Sequence, residues 1–270
     1  MAVRMAEFFF SGHNELRCHP VASRIRAMVG EETVVDTTRA MVVWEPRRIV
    51  PSYAVPIEDV RVSTVPAVAP EVAADPQQLG DGPPVLTPST PFAVHSCPGE
   101  THTIQAASRE LPAAGFIPGD PDLAGYLFLD WAAFDRWLDE DEDLVAHPRD
   151  PFKRIDTRRS SRHVVIEIDG QTVAESRQPT LLFETYLPTR YYFPAADVNT
   201  NLLAPSETRT QCAYKGVAEY WAAGGQDVAW TYHDPLHDAA PVKDMIAFFN
   251  ERVDITLDGE PQPRPRTPWS

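Results

Sequence analysis

Between residues 184 and 232 the sequence gathers side chains that could act together on one small molecule. They are the carboxylate of Glu184, the guanidinium of Arg190, the thiol of Cys212, the amine of Lys215 and the rings of Tyr191, Tyr192, Tyr214, Tyr220, Trp221, Trp230 and Tyr232. Ligand pockets are mostly apolar and aromatic with a few polar anchors, and this set has that make-up. Arg190 can hold a carboxylate or phosphate through two N–H groups. Cys212 and Lys215 are three residues apart, so an ammonium could stabilise a thiolate. Glu184 could orient Lys215 or act as a base. The catalytic candidates are therefore Cys212, Lys215 and Glu184. The ligand-binding candidates are Arg190, Tyr191, Tyr192, Tyr214, Tyr220, Trp221 and Trp230, and an anionic or carbonyl-bearing ligand suits them. The same residues admit a second reading: Cys212 as a small buried hydrophobe, Lys215 as a structural partner of Glu184, and the rings as core. That reading makes the chain a non-catalytic interaction or scaffold protein. An open cavity holding the Lys215 and Arg190 heads would favour the first; a fully paired Lys215 among buried rings would favour the second.

Other chemistries find less support. His95, Cys97 and His102 match no standard zinc spacing and lack a fourth ligand, His13 with Cys18-His19 is no better, and Pro235 interrupts the helix that would align His233 with His237. No metal or other cofactor is expected. Nucleotidyl transfer needs closely paired carboxylates on metal-bound triphosphate. The nearest pair, in Gly119-Asp120-Pro121-Asp122, reads as an ordinary turn. The chain has no P-loop and no Gly-x-Ser-x-Gly elbow.

Composition narrows the field further. Hydrophobic residues make up 43% of the 270 and charged residues 23%, enough for a sizeable core. A net charge of −15 argues against phosphate-backbone binding and against docking on anionic lipid. No apolar run approaches the roughly 20 residues of a membrane span, and the opening MAVRMAEFFFSG is too short in apolar residues for a signal peptide. Three cysteines cannot close a disulfide framework, so a cytoplasmic setting is expected. The 27 prolines are about twice ordinary usage.

The elements that must position these residues read as β, and they read twice. HVVIEIDGQTVAES followed by PTLLFETYLPTRYYFPAADV corresponds to RIRAMVGEETVVDT followed by AMVVWEPRRIVPSYAVPIEDV. The correspondence aligns Gly30 with Gly170, Trp44 with Phe183, Glu45 with Glu184, Tyr53 with Tyr191, and Cys97 with Cys212. Val164, Ile166 and Ile168 alternate as in a half-buried strand. Asp169-Gly170 signals a hairpin, and TLLFETY and RYYF signal further strands. Val242, Met245, Ile246 and Phe249 have helical spacing with Pro241 at a first position, and Trp131, Phe134 and Leu138 form a second stripe with Asp130 as N-cap. Asp130 to Asp143, with seven acids and one Arg, reads as a solvated helix face. Residues 1–156 are thus expected to form a degenerate N-terminal copy, with a Pro-rich insertion over 66–121. Residues 157–260 form the C-terminal copy, and 261–270 a Pro-rich tail that is a strap or disordered. Where the second copy has Tyr214-Lys215-Gly216 the first offers Pro98-Gly99-Glu100, so the first copy is expected to have lost the site.

The run LLFETYLPTRYYFP, then Cys212-Ala213-Tyr214-Lys215-Gly216, Glu219-Tyr220-Trp221 and Ala229-Trp230-Thr231-Tyr232, resembles the bacterial domain of unknown function 427 family. The linker HPRDPFKRIDTRRSSRHVVIEIDG and the ending RPRTPWS are similar to its two-copy, actinobacterial-type members. Ala213 stands where the family usually has Pro. The resemblance implies a mainly β fold: two tandem β-tent-like (Mss4-like) antiparallel-sheet domains with a few short helices. Zinc-binding members of the β-tent group use two CxxC units, which three scattered cysteines cannot supply. The family is sometimes labelled nucleotidyltransferase-like, a third functional reading that rests on the label alone.

Overall fold

A computed structural model describes residues 2, 3, 5, 8, 11–78 and 83–267. The chain divides into two compact units, Met1–Asp150 and Pro151–Ser270. The first holds β1 (Arg17–Pro20), β2 (Ile25–Val29), β3 (Glu32–Thr37), β4 (Met41–Trp44), β5 (Ser52–Pro56), β6 (Ser63–Pro66), β7 (Gly99–Gln105), β8 (Glu110–Pro118), β9 (Tyr126–Leu129), β10 (Arg136–Asp139) and β11 (Glu142–Asp143). The second holds β12 (Ile155–Arg159), β13 (Val164–Ile168), β14 (Gln171–Ser176), β15 (Thr180–Glu184), β16 (Arg190–Phe193), β17 (Ala204–Cys212), β18 (Gly216–Ala223), β19 (Gln226–Thr231), β20 (Ile246–Phe248), β21 (Asp254–Leu257) and β22 (Glu260–Gln262).

Each unit pairs a seven-stranded with a four-stranded antiparallel sheet. The orders are β1-β4-β5-β9-β8-β7-β6 with β11-β10-β2-β3, and β12-β15-β16-β20-β19-β18-β17 with β14-β13-β21-β22. Adding 11 to each strand number of the first unit reproduces the second. The ladders match as well as the order. A rung runs Met41, Ala54, Phe128, Phe116, Thr101 in one unit. Its counterpart runs Thr180, Tyr192, Ala247, Trp230, Tyr220 in the other.

The two-residue period of a strand gives each large sheet two faces. One face packs on the small sheet: Tyr53 and Val55 meet Ile25, Val35 and Trp137 in the first unit, and Phe193, Ala229 and Phe248 meet Ile166, Val173 and Ile255 in the second. The opposite face carries its own apolar cluster, with Ala54, Phe116 and Phe128 in the first unit, and Tyr192, Trp230, Ala247 and Phe249 in the second. Turn chemistry fixes the registers. Asp169 and Gly170 both take positive φ between β13 and β14, as do Asp258 and Gly259 between β21 and β22.

Neither helical stripe forms an α-helix. Pro241 falls inside a 3-10 segment, His237–Val242, and Asp244 at positive φ turns the chain so that Ile246–Phe248 enters the sheet as β20. The helix-like spacing arises because Val242 and Phe249 bury on one face of the large sheet and Ile246 on the other. Asp130 does cap, accepting from Ala132 N–H at 3.0 Å, but the segment is the 3-10 turn Trp131–Ala133, and Leu138 lies in β10. The acidic stretch is therefore a strand, turn and strand; the Arg24 backbone N–H donates to Glu140, and Arg26 and Arg136 pair with Asp141 and Asp143 along it.

The insertion is shorter than 66–121. β7 and β8 lie within that range and occupy the places of β18 and β19, because their apolar partners Ile104, Leu111 and Phe116 belong to the sheet. What is added is the connection from Pro66 to Gly99, where the second unit turns from Cys212 to Gly216. Part of the Pro-rich stretch, 79–82, lies outside the described residues, as do 268–270 of the tail and most of the opening segment. The rest of the tail is a strap: Pro261 and Gln262 belong to β22, and Arg264 pairs with Asp254 at 2.8 Å.

Gly99 opens β7 where a β-carbon would overlap the Phe116 ring and the Ile117 carbonyl. Overpacking of this kind costs about 1 to 3 kcal/mol. Gly99→Ala is expected to lower the thermal midpoint clearly, and an unchanged midpoint would contradict the close approach.

Candidate functional site

Alternation along β15, β16 and β18 decides which candidate residues meet. Glu184, Arg190, Tyr192, Tyr220 and Trp230 share the outer face of the large sheet with Tyr232. Tyr191 and Trp221 sit one residue out of step and pack instead against the core between the sheets. The expected set is thus split across the two faces, and one wall does not collect all the rings.

The outer-face heads do converge, as a buried network. Lys215 donates to Glu184 Oε2 at 2.5 Å, and Lys153 lies 3.1 Å from Oε1. Only three lysines occur in the chain, and two of them hold this carboxylate. Arg190 makes a two-pronged bond to Glu251, 2.8 Å on each side, and a third to Asn250 Oδ1 at 3.0 Å. Its guanidinium lies 5.5 Å from the Trp230 ring centre. Between the two ion pairs stands Tyr192, fully buried, its hydroxyl accepting from Trp230 Nε1 at 3.0 Å. Lys215 is 8% exposed and Arg190 5%. Tyr214 and Tyr232 are buried with them, and Cys212 ends the edge strand β17, half-buried.

Electrostatics follow from this packing. Burial pushes the Glu184 carboxyl up, but the ammonium groups, Lys215 ahead of Lys153, more than reverse that and hold it below the usual range. Burial would lower Lys215, yet Glu184, with smaller help from Cys212 and Tyr192, raises it. A lysine so held stays an ammonium at neutral pH and offers no lone pair for attack on a carbonyl. Burial pushes Tyr192 up to about 12, against the pull of Lys215.

Two of the clefts on the surface lie one in each unit. One of about 200 Å³ is lined by Pro188, Thr189, Tyr191, Asn250 and Ile255 together with Gln262, Pro263 and Pro265 of the tail. The other, about 480 Å³, lies in the first unit beside Arg39, Glu58 and Tyr126. Neither is lined by Glu184, Cys212 or Lys215.

The first unit keeps a buried carboxylate at the same place with other partners. Glu45, 2% exposed, accepts from Ser96 N–H at 2.7 Å, bonds His95 Nδ1 at 3.0 Å, and has Arg48 Nε at 3.6 Å and Cys97 Sγ at 3.6 Å. Counting back from the Thr101 and Tyr220 rung sets Ser96 level with Lys215 and Cys97 level with Gly216, so the two cysteines aligned in sequence are not equivalent. Burial, then Glu45 beside it, pushes the Cys97 thiol up to about 12, which leaves it unreactive near neutrality. Arg48, also buried, donates to the carbonyls of Pro91, Phe92 and Val94 and so moulds the added connection over the outer face. This polar centre was not foreseen. Its signal was Glu45-Pro-Arg-Arg48, a turn with Arg47 at positive φ and Arg48 N–H bonded to Glu45 O at 2.9 Å, matched by Tyr186 and Leu187 after Glu184.

The histidine groupings do not assemble. His102 lies in β7 with neither ring nitrogen hydrogen-bonded, His233 pairs with Asp244 and His237 with Asp238. Among the described residues no three of His, Cys, Asp and Glu are grouped to hold a metal ion.

The family model described as "Domain of unknown function (DUF427)" matches residues 156–259, the stretch from β12 through the turn after β21. No curated protein matches the sequence.

The linked pair sets a pH window. Glu184, depressed on folding, adds stability above the ordinary carboxylate value of ~4.3 that is lost as pH falls through its folded value. Lys215, raised, adds stability below the ordinary ~10.4 that is lost as pH climbs past its folded value. Urea midpoints are expected to hold steady between these limits and drop on the acid side. Glu184→Gln should flatten part of the acid drop while Glu251 retains its share, and superimposable acid limbs would contradict the assignment.

Proposed function

We propose that this is a non-catalytic interaction protein, in which the polar and aromatic set of the second unit is a structural core. One observation carries the reading: the Lys215 ammonium is buried and bound to Glu184. The Lys215 amine and the Arg190 guanidinium are each buried against a carboxylate of the protein itself, Glu184 and Glu251, which already supplies the anion that a ligand would bring. The nucleotidyltransferase-like reading gains nothing here, because Asp120 serves as a turn cap, accepting from Asp122 N–H at 2.9 Å.

Surface charge says what kind of partner suits the protein. The first unit holds 23 acidic residues against 11 arginines and no lysine, whereas the second is close to balance, with 16 acids against 13 bases. A partner with a basic surface would be steered toward the first unit. The Pro-rich segments, poor in secondary structure, supply extended surface for contact. A cytoplasmic setting belongs to the same reading. The three cysteines are unpaired, and among the described residues no helix is long and apolar enough to cross a membrane.

Amine labelling tests this. Treatment of the folded protein with an aldehyde and borohydride is expected to modify the exposed Lys243 and to leave Lys215 untouched until the chain unfolds. Stoichiometric labelling of Lys215 in the folded state would overturn the reading and restore a reactive amine.

A further inference from the structure

A buried bond ties down the Pro-rich tail. Past Gln262 the chain leaves the β21 ladder and runs without further strand through Thr267. Arg264 pairs with Asp254 at 2.8 Å, but both side chains are half or more exposed, and such pairs contribute little. The strong anchor is Thr267, whose hydroxyl donates to Glu251 Oε1 at 2.5 Å. That oxygen also accepts from Arg190 Nη2 at 2.8 Å, and the Glu251 side chain is wholly buried. Hydrogen bonds to a charged acceptor are the stronger kind. Pro263 and Pro265, on either side of Arg264, line one wall of the cleft that also holds Tyr191, Asn250 and Ile255.

The geometry points to Thr267 as a phosphorylation site that releases this strap. The sequence here reads Arg264-Pro265-Arg266-Thr267-Pro268, with two arginines before the threonine and a proline after it. A Ser/Thr protein kinase with a nucleoside triphosphate would supply the group. The Thr267 oxygen attacks the γ-phosphorus, its proton passes to the kinase base, the bond from the γ-phosphorus to the bridging oxygen breaks, and the nucleoside diphosphate leaves. Esterification removes the proton that Glu251 now accepts. It also sets a phosphate of about −1.5 to −2 charge against a buried carboxylate. The bond cannot re-form and the charges repel, so residues 263–267 lift away. Release stops at Gln262, which stays paired with Ile255 on β21. The apolar side of the cleft, Pro188, Tyr191 and Ile255, is then uncovered. The inference stands independently of the proposed function, since it rests on the tail and not on Lys215.

The full chain is incubated with a proline-directed Ser/Thr kinase and magnesium ATP, and the phosphate is located by tandem mass spectrometry. Hydroxyl-radical footprinting then reads the Tyr191 ring. Phosphate on Thr267 with severalfold faster Tyr191 oxidation is the expected result. Thr267→Glu should also speed oxidation, and Thr267→Val, which loses the bond without gaining charge, should do so less. Absence of phosphate from Thr267, or unchanged Tyr191 oxidation in the phosphorylated chain, would overturn the inference.

Discussion

A carboxylate buried at the end of a strand has to be neutralised, and much of each unit is arranged around that requirement. Glu184 and Glu45 close β15 and β4 at equivalent points on the outer face of a large sheet. An unpaired charge at such depth would carry a desolvation penalty of several kcal/mol. The second unit answers with two ammonium groups, Lys153 on one carboxylate oxygen and Lys215 on the other. The first answers with a backbone N–H, a histidine and an arginine. The same topology thus supports two different chemical solutions, and the choice shapes what surrounds each. Lys215 needs only the short turn from Cys212 to Gly216, whereas Ser96 and His95 arrive on the long connection that Arg48 gathers through its carbonyls.

The two faces of the large sheets explain why a promising list of side chains does not make a pocket. Adjacent residues of a strand point opposite ways, so Tyr191 cannot join Tyr192, nor Trp221 join Tyr220. The outer-face rings pack on one another, with Trp230 and Phe249 centroids 4.7 Å apart and Tyr220 stacked on Phe249. The 3-10 segment His237–Val242 closes over them with Ala239 and Val242. The rings fill the space between them and line no cavity there.

Much of the fold was legible in the sequence because it rests on local patterns. Alternation and the Asp169-Gly170 turn gave β13 and β14, and the internal correspondence that aligned Glu45 with Glu184 and Tyr53 with Tyr191 holds on the ladders. Legibility ended where non-local pairing decided the outcome. The spacing of Val242, Met245, Ile246 and Phe249 is helical, but Pro241 and Asp244 turn the chain and hydrogen bonds to β16 and β19 make β20 a strand. Prolines disguised β7 and β8 as insertion; the ladder accommodates Pro112 at a register shift opposite Thr103, and Pro118 ends β8. The alternative that paired Lys215 with Glu184 was visible in the residues. Geometry alone supplied the second lysine at 153, the capture of Arg190 by Glu251, and the level placement of Ser96 with Lys215.

The claim at the centre of this account is that Glu184 and Lys215 hold each other in place and serve no ligand. A double-mutant cycle of Glu184→Gln and Lys215→Met, read by urea unfolding, measures that bond directly. The account predicts a coupling of about 2 kcal/mol, toward the upper end for contacting residues. Effects that simply add, within about 0.5 kcal/mol, would contradict it.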